Sequence, residues 1–333
     1  MIYRQLGRSP LRVSALCLGT MMFADQTDAR EAGAILADAR EHGVNFIDTA
    51  DVYSKGGSES LLGELLAGSR DDWILASKLG NRMGDGQNEL GYSRFWMLRE
   101  VEASLKRLRT DRLDILYLHR DYEEMDLEEG LRAIDTLIRD GKLRYWGLSN
   151  FRGWRIAEAV RVARELNMPG PAVCQPYYNL LNRMPEVEIL PACANYGLGV
   201  VPYSPIARGV LSGKYAPGQA PAADSRAGRG DKRMHQTEFR EESLRIAQQL
   251  QEHVASRGIT LAQFATAWVL AHRAVSSVIA GPRTLGQWQA YAPALEVKLT
   301  AEDEALVDSL VAPGHPSTPG YTDPGYPLQR RTL

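Results

Sequence analysis

The sequence predicts an α/β fold in which eight parallel strands and the helices between them form a single-domain (β/α)8 barrel of the TIM type. Eight short apolar runs alternate with segments of helical periodicity. Eight such runs over 333 residues are typical of one closed barrel. An open doubly wound sheet would carry a glycine fingerprint after its first strand, and Gly19-Thr20-Met21-Met22 is not one.

The predicted strands are short apolar runs that each end in polar residues. Before the first of them, residues 1–13 read as a hairpin of two short strands around a turn at Ser9-Pro10. The eight strands of the barrel are predicted at residues 13–18, 44–47, 73–76, 113–118, 143–148, 172–174, 198–202 and 275–280.

Helical periodicity and capping residues predict the segments between the strands. Asp28 with Glu31, and Thr260 with Gln263, have the spacing of capping boxes. Residues 216–230 have no periodicity and predict a mobile loop, and residues 313–333 predict an irregular tail with five prolines. Other helices are predicted at residues 59–66, 94–108, 127–140, 185–195, 244–254, 285–294 and 301–311, and one more has Ile156, Val160 and Ala163 on its buried face.

Composition and charge exclude several classes of function. The 39 basic and 41 acidic residues leave a net charge of −2, so no basic excess exists to bind nucleic acid. No apolar run reaches the ~18 residues of a membrane helix, and the six scattered histidines give no metal motif. Three cysteines without a CxxC motif favour a reducing, cytoplasmic location. The oligomeric state stays open.

Polar side chains follow the predicted strands. The carboxyl ends of the strands meet at one mouth of such a barrel, where its chemistry takes place. A single polar residue there would be a loop or cap residue by default, but a whole set at one mouth indicates a functional site. The set comprises Gly19, Thr20, Met21, Asp48 with Tyr53, Lys78, His119, Ser149, Asn150, Gln175, Tyr203, Ser204, Gly281 and Arg283.

Four of these side chains form a chemically sensible group. A tyrosine hydroxyl has a pKa of ~10, and an adjacent lysine cation lowers it. Asp48 would keep Lys78 charged, and a neutral His119 would orient a carbonyl oxygen. With Tyr53 as the proton donor, the group suits protonation of an alkoxide as a carbonyl is reduced.

Five motifs are dispersed along the chain, at residues 45–53 (NFIDTADVY), 76–80 (ASKLG), 114–119 (DILYLH), 147–151 (GLSNF) and 201–205 (VPYSP). In sequence and order they resemble those of the aldo-keto reductase family, over nearly the whole chain. The resemblance implies a (β/α)8 barrel with Asp48, Tyr53, Lys78 and His119 as the catalytic tetrad and Tyr53 as the general acid.

The resemblance also implies a nicotinamide cofactor across the barrel mouth. Ser149, Asn150 and Gln175 would hold its carboxamide, and Tyr203 would stack on its ring. The pyrophosphate loop would contain Ser204, Ile206, Arg208, Leu211, Gly213 and Lys214, and the adenosine-phosphate segment Gly281, Arg283, Thr284 and Gln287. Arg283 would favour NADPH, but Tyr291 stands where the family commonly has Asn, which leaves NADH possible.

The expected function is NADPH-dependent reduction of an aldehyde or ketone, whose identity and in vivo direction the sequence leaves open. The alternative is a regulatory subunit that binds the cofactor but turns over little. Residues 216–230 are either a lid over the dinucleotide or a disordered insertion. Candidate substrate contacts are Phe23, Tyr53, His119, Arg120 and Tyr122, to which the tail would add Tyr321 or Tyr326.

Overall fold

The computed structural model describes residues 1–327. Within them, a hairpin and eight parallel strands are joined by helices, and the predicted (β/α)8 barrel is confirmed. The hairpin strands β1 (Tyr3–Gln5) and β2 (Arg12–Ser14) pair antiparallel. The barrel strands are β3 (Leu16–Gly19), β4 (Phe46–Asp48), β5 (Ile74–Leu79), β6 (Leu113–Leu118), β7 (Leu143–Ser149), β8 (Val173–Gln175), β9 (Gly199–Val200) and β10 (Val278–Ala280).

Hydrogen bonds close the sheet into a ring. The strands are adjacent in the order β10-β3-β4-β5-β6-β7-β8-β9, and all seven of these pairings are parallel. Between the two ends of this order, the Ser276 amide donates to the Val200 carbonyl at 2.8 Å and the Ile279 amide donates to the Pro202 carbonyl at 3.0 Å. The first predicted strand, residues 13–18, is divided between β2 and β3.

The helices follow the predicted periodicity closely. Thr260 and Gln263 form the predicted capping box, but Glu31 does not return to Asp28. Its carboxylate instead accepts from the Leu285 amide at 2.6 Å, which ties the first helix to the end of the barrel sequence. The helices are α1 (Ala29–Glu41), α2 (Gly57–Leu65), α3 (Arg94–Leu108), α4 (Leu127–Arg139), α5 (Gly153–Glu165), α6 (Ile189–Tyr196), α7 (Lys232–Thr237), α8 (Glu241–Ala255), α9 (Leu261–Ala271), α10 (Leu285–Gln289) and α11 (Ala301–Leu310).

The differences from the predicted helices are local. α7 was not predicted, because six residues are too few to display a period. The helices predicted at residues 185–195 and 285–294 each divide into an α-helix and a short 3₁₀ turn. Residues 216–230 contain no helix or strand. The tail is irregular as far as residue 327, and its last residues, 328–333, lie outside the described part of the chain.

Two apolar clusters make up the core. The larger one lies between the strands and the surrounding helices. The smaller one fills the barrel and includes Phe46, Ile115 and Tyr117. Leu6 and Val13 of the hairpin belong to this inner cluster and are fully buried, so the hairpin plugs the end of the barrel opposite the mouth.

Gly7 makes this plug possible, and we expect Gly7→Ala to destabilise the protein. Its φ is +59°, and a Cβ there would overlap the backbone of Gly197 and Gly199. Gly68, with φ of +79°, has open space around the same position and provides a matched control. Urea denaturation should show a loss of about 1–2 kcal/mol for Gly68→Ala and about 2–5 kcal/mol for Gly7→Ala. Equal losses would contradict close packing of the plug.

Candidate active site

The strand ends bring the predicted side chains to one mouth of the barrel. Asp48, Ser149 and Gln175 are the last residues of β4, β7 and β8, while Lys78 is the penultimate residue of β5 and His119 follows β6 directly. Because parallel strands in a barrel end at the same face, these side chains converge although they are far apart in sequence.

Lys78 is the centre of the group. Its side chain has no solvent exposure, and its ammonium forms an ion pair with Asp48. The same ammonium donates to the Thr49 carbonyl at 2.7 Å and to the Tyr53 hydroxyl at 3.2 Å. Gln175 donates to the second oxygen of Asp48 at 2.8 Å, so both carboxylate oxygens are occupied. The structure therefore joins three members of the predicted tetrad by direct contacts.

Burial governs the protonation of this group. Burial works to lower the pKa of Lys78, but Asp48 and Tyr53 outweigh it and raise the pKa, so the lysine stays charged. Burial raises the pKa of Asp48 against the opposing effect of Lys78. Burial also raises the pKa of Tyr53 above its ordinary value. Lys78 acts in the expected lowering direction on Tyr53, but burial is the larger effect, so Tyr53 is protonated at neutral pH.

His119 lies beside Tyr53 as the fourth member. The two rings meet edge to face, with 6.0 Å between their centroids. Burial lowers the pKa of His119 well below its ordinary value, and the Lys78 cation adds to the effect. Its Nδ1 atom is buried without a hydrogen-bond partner among residues 1–327. The imidazole is therefore neutral and retains unused hydrogen-bonding capacity.

A second hydrogen-bonded group extends from His119 around the mouth. Asn150 donates to the His119 carbonyl at 2.9 Å and accepts from the Tyr203 hydroxyl at 2.8 Å. The Tyr203 ring stacks on Tyr177 at 5.6 Å. Asn150 and Ser204 have φ values of 62° and 57°, so sharp backbone turns follow two of the strands. These contacts fix one wall of the site.

The side chains surround a cavity of 740 Å³. Its size is that of a small-molecule or cofactor site. Six cationic side chains and two carboxylates line the cavity. Three of the cations form ion pairs, Arg208 with Glu238, Arg226 with Asp231 and Arg233 with Asp323, and the other three make the cavity basic. The cations are Arg208, Lys214, Arg226, Arg229, Arg233 and Arg283.

Three predicted cofactor residues do not line the cavity. Leu211 is fully buried in the core, Gly213 lies against Gln251, and Thr284 caps α10 by accepting from Gln287. The predicted residues that do line it are Gly19, Thr20, Met21, Asp48, Ser149, Asn150, Gln175, Tyr203, Ser204, Ile206, Arg208, Lys214, Gly281, Arg283 and Gln287. Tyr291, the departure from the family pattern, also lines it.

Of the candidate substrate contacts, Tyr53, His119 and Tyr326 line the cavity, whereas Phe23, Arg120 and Tyr122 do not. Phe23 is fully buried. Arg120 donates to the Gly325 carbonyl at 3.0 Å, and the Tyr122 hydroxyl donates to the Gly80 carbonyl at 2.9 Å. Arg120 and Tyr122 are thus engaged in holding loops. Arg120 forms no ion pair with the neighbouring Asp121 and Glu123, which pair with Arg155 and Arg152.

The sequence interpretation missed a set of lining residues that come from loops far along the chain. The arginine-rich stretch around residues 226–233 was a signal that could have indicated them. Arg229 donates to Gln26 at 2.8 Å, which links this stretch to the loop after β3. Tyr326 of the tail lines the cavity between Arg120 and Arg233, whose guanidiniums lie 5.3 and 5.9 Å from its ring centroid. The missed residues include Gln26, Val52, Asn81, Asp231 and Arg233, whereas Arg226 and Arg229 belong to the predicted loop at residues 216–230 and Tyr326 was a candidate substrate contact.

Residues 1–327 contain neither a metal-binding cluster nor a membrane-spanning helix. No group of three or more His, Cys, Asp or Glu side chains there could hold a metal ion. No helix in the same range is long and apolar enough to span a membrane.

Comparison with known proteins identifies one protein family over most of the chain. The family model described as "Aldo/keto reductase family" matches residues 15–312. A protein of Oryza sativa subsp. japonica, named "Probable voltage-gated potassium channel subunit beta", is 38% identical over 328 residues, covering 96% of this chain and 100% of the relative. A protein of the same name from Arabidopsis thaliana is 38% identical over 302 residues, covering 89% and 92%.

A bacterial relative is also similar over nearly the whole chain. The "Uncharacterized oxidoreductase YrpG" of Bacillus subtilis (strain 168) is 36% identical over 334 residues, covering 96% of this chain and 99% of the relative. The match of the family model and the similarity of these relatives agree with the barrel. The chain belongs to the aldo/keto reductase family.

Proposed function

We propose that the protein reduces an aldehyde or ketone to an alcohol with NADPH as the hydride donor. The observation that carries the proposal is the contact between the Tyr53 hydroxyl and the buried Lys78 ammonium, at 3.2 Å, on the surface of a basic cavity. A protonated phenol beside a fixed cation is suited to donate a proton to an oxygen that becomes negative.

The cavity has the chemistry required to bind a dinucleotide. The guanidinium of Arg283 has no hydrogen-bond or ion-pair partner among residues 1–327, and the Lys214 ammonium lies 5.2 Å above the Tyr215 ring without an ion pair there. Such free cations suit phosphate groups. Arg208 is engaged with Glu238 at 3.0 Å and would have to share its guanidinium. Arg283, Lys214, Asn150 and Tyr203 are the residues we expect to hold the cofactor.

Each side chain then has a defined task in the reaction. The bound nicotinamide supplies the hydride for the carbonyl carbon. The neutral ring of His119 donates a hydrogen bond to the carbonyl oxygen and so fixes the orientation of the substrate carbonyl. Tyr53 gives its proton to the same oxygen as negative charge develops, and the Lys78 cation stabilises the phenolate that remains. Asp48 keeps Lys78 charged and in place.

A regulatory subunit of the same fold is the second candidate function. The names of the two plant relatives favour it, since both are described as probable potassium channel subunits. The intact Asp48, Lys78 and Tyr53 contacts favour turnover instead. An assay with 4-nitrobenzaldehyde separates the two candidates. NADPH binding without measurable NADPH consumption would support the regulatory subunit and contradict the enzyme.

We expect Tyr53→Phe to lower kcat by about 100-fold or more, because the proton donor is lost while the ring remains. The dissociation constant for NADPH, measured by fluorescence quenching, should stay nearly unchanged. Tyr122→Phe is the matched control, because this hydroxyl lies outside the cavity lining, and it should keep kcat. Near-normal turnover in Tyr53→Phe would show that another group donates the proton.

The cofactor preference depends on Arg283. Loss of a charge-assisted contact to the 2′-phosphate weakens binding by about 1.5–3 kcal/mol. Arg283→Ala should therefore weaken NADPH binding by about 10- to 150-fold and NADH binding far less. The exposed Arg30 provides a control, and Arg30→Ala should change neither affinity. Equal weakening of both cofactors in Arg283→Ala would contradict this assignment.

The pKa shifts predict a flat pH profile for reduction. Burial keeps Tyr53 protonated above its ordinary pKa and keeps His119 neutral below its own. The proton donor is lost only as the pH rises past the raised pKa of Tyr53, and His119 becomes charged only as the pH falls well below about 6.5. kcat should therefore be constant between about pH 7 and pH 9. An inflection near pH 7 that vanishes in His119→Asn would contradict a neutral histidine.

A further inference from the structure

A second buried charged cluster lies behind the catalytic group. It consists of Asp51 in the loop after β4, Glu59 on α2, and Glu100 and Arg107 on α3. Asp51 and Glu59 are fully buried and Glu100 is 4% exposed. None of the four lines the cavity, and none takes part in the proposed proton transfer.

The cluster contains more acid than base. Arg107 donates to Glu59 at 2.7 Å and to Glu100 at 2.5 Å, and it lies against Gly56 in the turn that begins at Tyr53. Neither of these contacts reaches Asp51. One arginine thus compensates one of three carboxyl groups, and a buried charge without a partner is strongly unfavourable.

Asp51 is the acid left without a charged partner. One of its oxygens accepts from the Val52 amide at 2.6 Å, while the other is buried without a hydrogen-bond partner among residues 1–327. Burial raises the pKa of Asp51 well above its ordinary value, Glu59 and Glu100 add to the shift, and Arg107 opposes it weakly. Tyr122, in the loop after β6, is the other titratable group that the charge of Asp51 reaches.

The cluster is connected to the backbone on both sides of the catalytic contact. The Asp51 amide donates to the Lys78 carbonyl at 3.1 Å. Glu59 accepts from the Ser77 hydroxyl at 2.5 Å, directly before Lys78 in β5. Asp51 also orients the loop two residues before Tyr53, because its carboxyl group accepts from the Val52 amide. The cluster therefore holds the two segments whose side chains meet between Tyr53 and Lys78.

We propose that Asp51 is a positioning residue for Tyr53 and Lys78, and that it carries a proton at neutral pH. The neutral carboxyl orients the Val52 amide without adding a third negative charge to the cluster. Loss of this proton at alkaline pH adds a negative charge that is repelled by Glu59 and Glu100. This repulsion acts on the loop that carries Tyr53 and loosens the Tyr53–Lys78 contact. The positioning part rests on the proposed function, whereas the protonation part does not.

The protonation state is tested by the pH dependence of stability in Asp51→Asn, which keeps the accepting oxygen and removes the titration. An aspartate in the unfolded chain ionises near pH ~4. Because the folded pKa is raised, the wild type loses stability as the pH rises above that value, until the folded pKa is passed. The asparagine variant has no such loss. The Tm of the asparagine variant relative to that of the wild type should therefore increase between about pH 5 and pH 9.

The control is Asp85→Asn, at an exposed aspartate in the loop after β5, whose Tm difference from the wild type should stay constant over this range. A constant difference for Asp51→Asn as well would show that Asp51 does not change its ionisation there, and would overturn the proposed proton. A difference that changes in the opposite direction, with the wild type gaining relative stability as the pH rises, would overturn it too.

The positioning role is tested by kinetics of the full chain. Asp51→Ala removes the acceptor for the Val52 amide and should lower kcat by about tenfold or more, with the NADPH dissociation constant unchanged. Asp51→Asn should restore kcat at neutral pH. It should also retain a larger fraction of that kcat than the wild type when the pH is raised above about 9.

The outcomes distinguish the two proposals. Wild-type kcat in Asp51→Ala, or a large loss in Asp51→Asn at neutral pH, would overturn the positioning role. If Asp51→Ala does not fold, the asparagine variant alone decides through its kcat and its Tm profile. Absence of turnover in the wild type would contradict the proposed function, while the Tm comparison would still decide whether Asp51 carries the proton.

Discussion

The buried ion pair between Lys78 and Asp48 is the interaction on which the functional part of this structure depends. An ammonium with no solvent exposure is tolerated only because a carboxylate, a carbonyl oxygen and a phenol surround it. Buried pairs of this kind contribute little net stability, since desolvation offsets much of the attraction between the charges. Its presence is therefore better explained by chemistry than by stability.

The barrel is what makes such a pair possible. β4 and β5 are adjacent parallel strands, so their carboxyl ends bring Asp48 and Lys78 together with little freedom. Gln175, across the barrel on β8, occupies the remaining oxygen of Asp48. The pair is thus held from strands on opposite sides, and rigid placement is the condition for a proton donor to act at a fixed distance.

Around this rigid centre, the cavity is formed by segments of a different kind. The arginines of residues 226–233, the loop after β3 and Tyr326 of the tail meet over the mouth through hydrogen bonds, ion pairs and cation–π contacts. Strands fix the reacting groups, and loops form the walls. This division is the usual one in barrels, where loops can vary without disturbing the central strands.

The sequence by itself predicted the eight-stranded barrel and the group of Asp48, Tyr53, Lys78 and His119 that the structure brings together at one mouth. Apolar periodicity is a local property, and the polar residue after each run marks a strand end without any knowledge of the rest of the chain. The same local reasoning found the capping box at Thr260 but misread Glu31, whose carboxylate has a partner 254 positions away at Leu285.

Only the tertiary structure decided which loop residues reach the cavity and how burial changes the ionisable groups. Arg120 follows His119 directly, yet it turns to Gly325 of the tail, while Tyr326 enters the lining instead. Burial, rather than the nearby cation, sets the direction of the pKa shift of Tyr53. Both results depend on which distant segments exclude water from a given atom, and neither periodicity nor spacing along the chain contains that information.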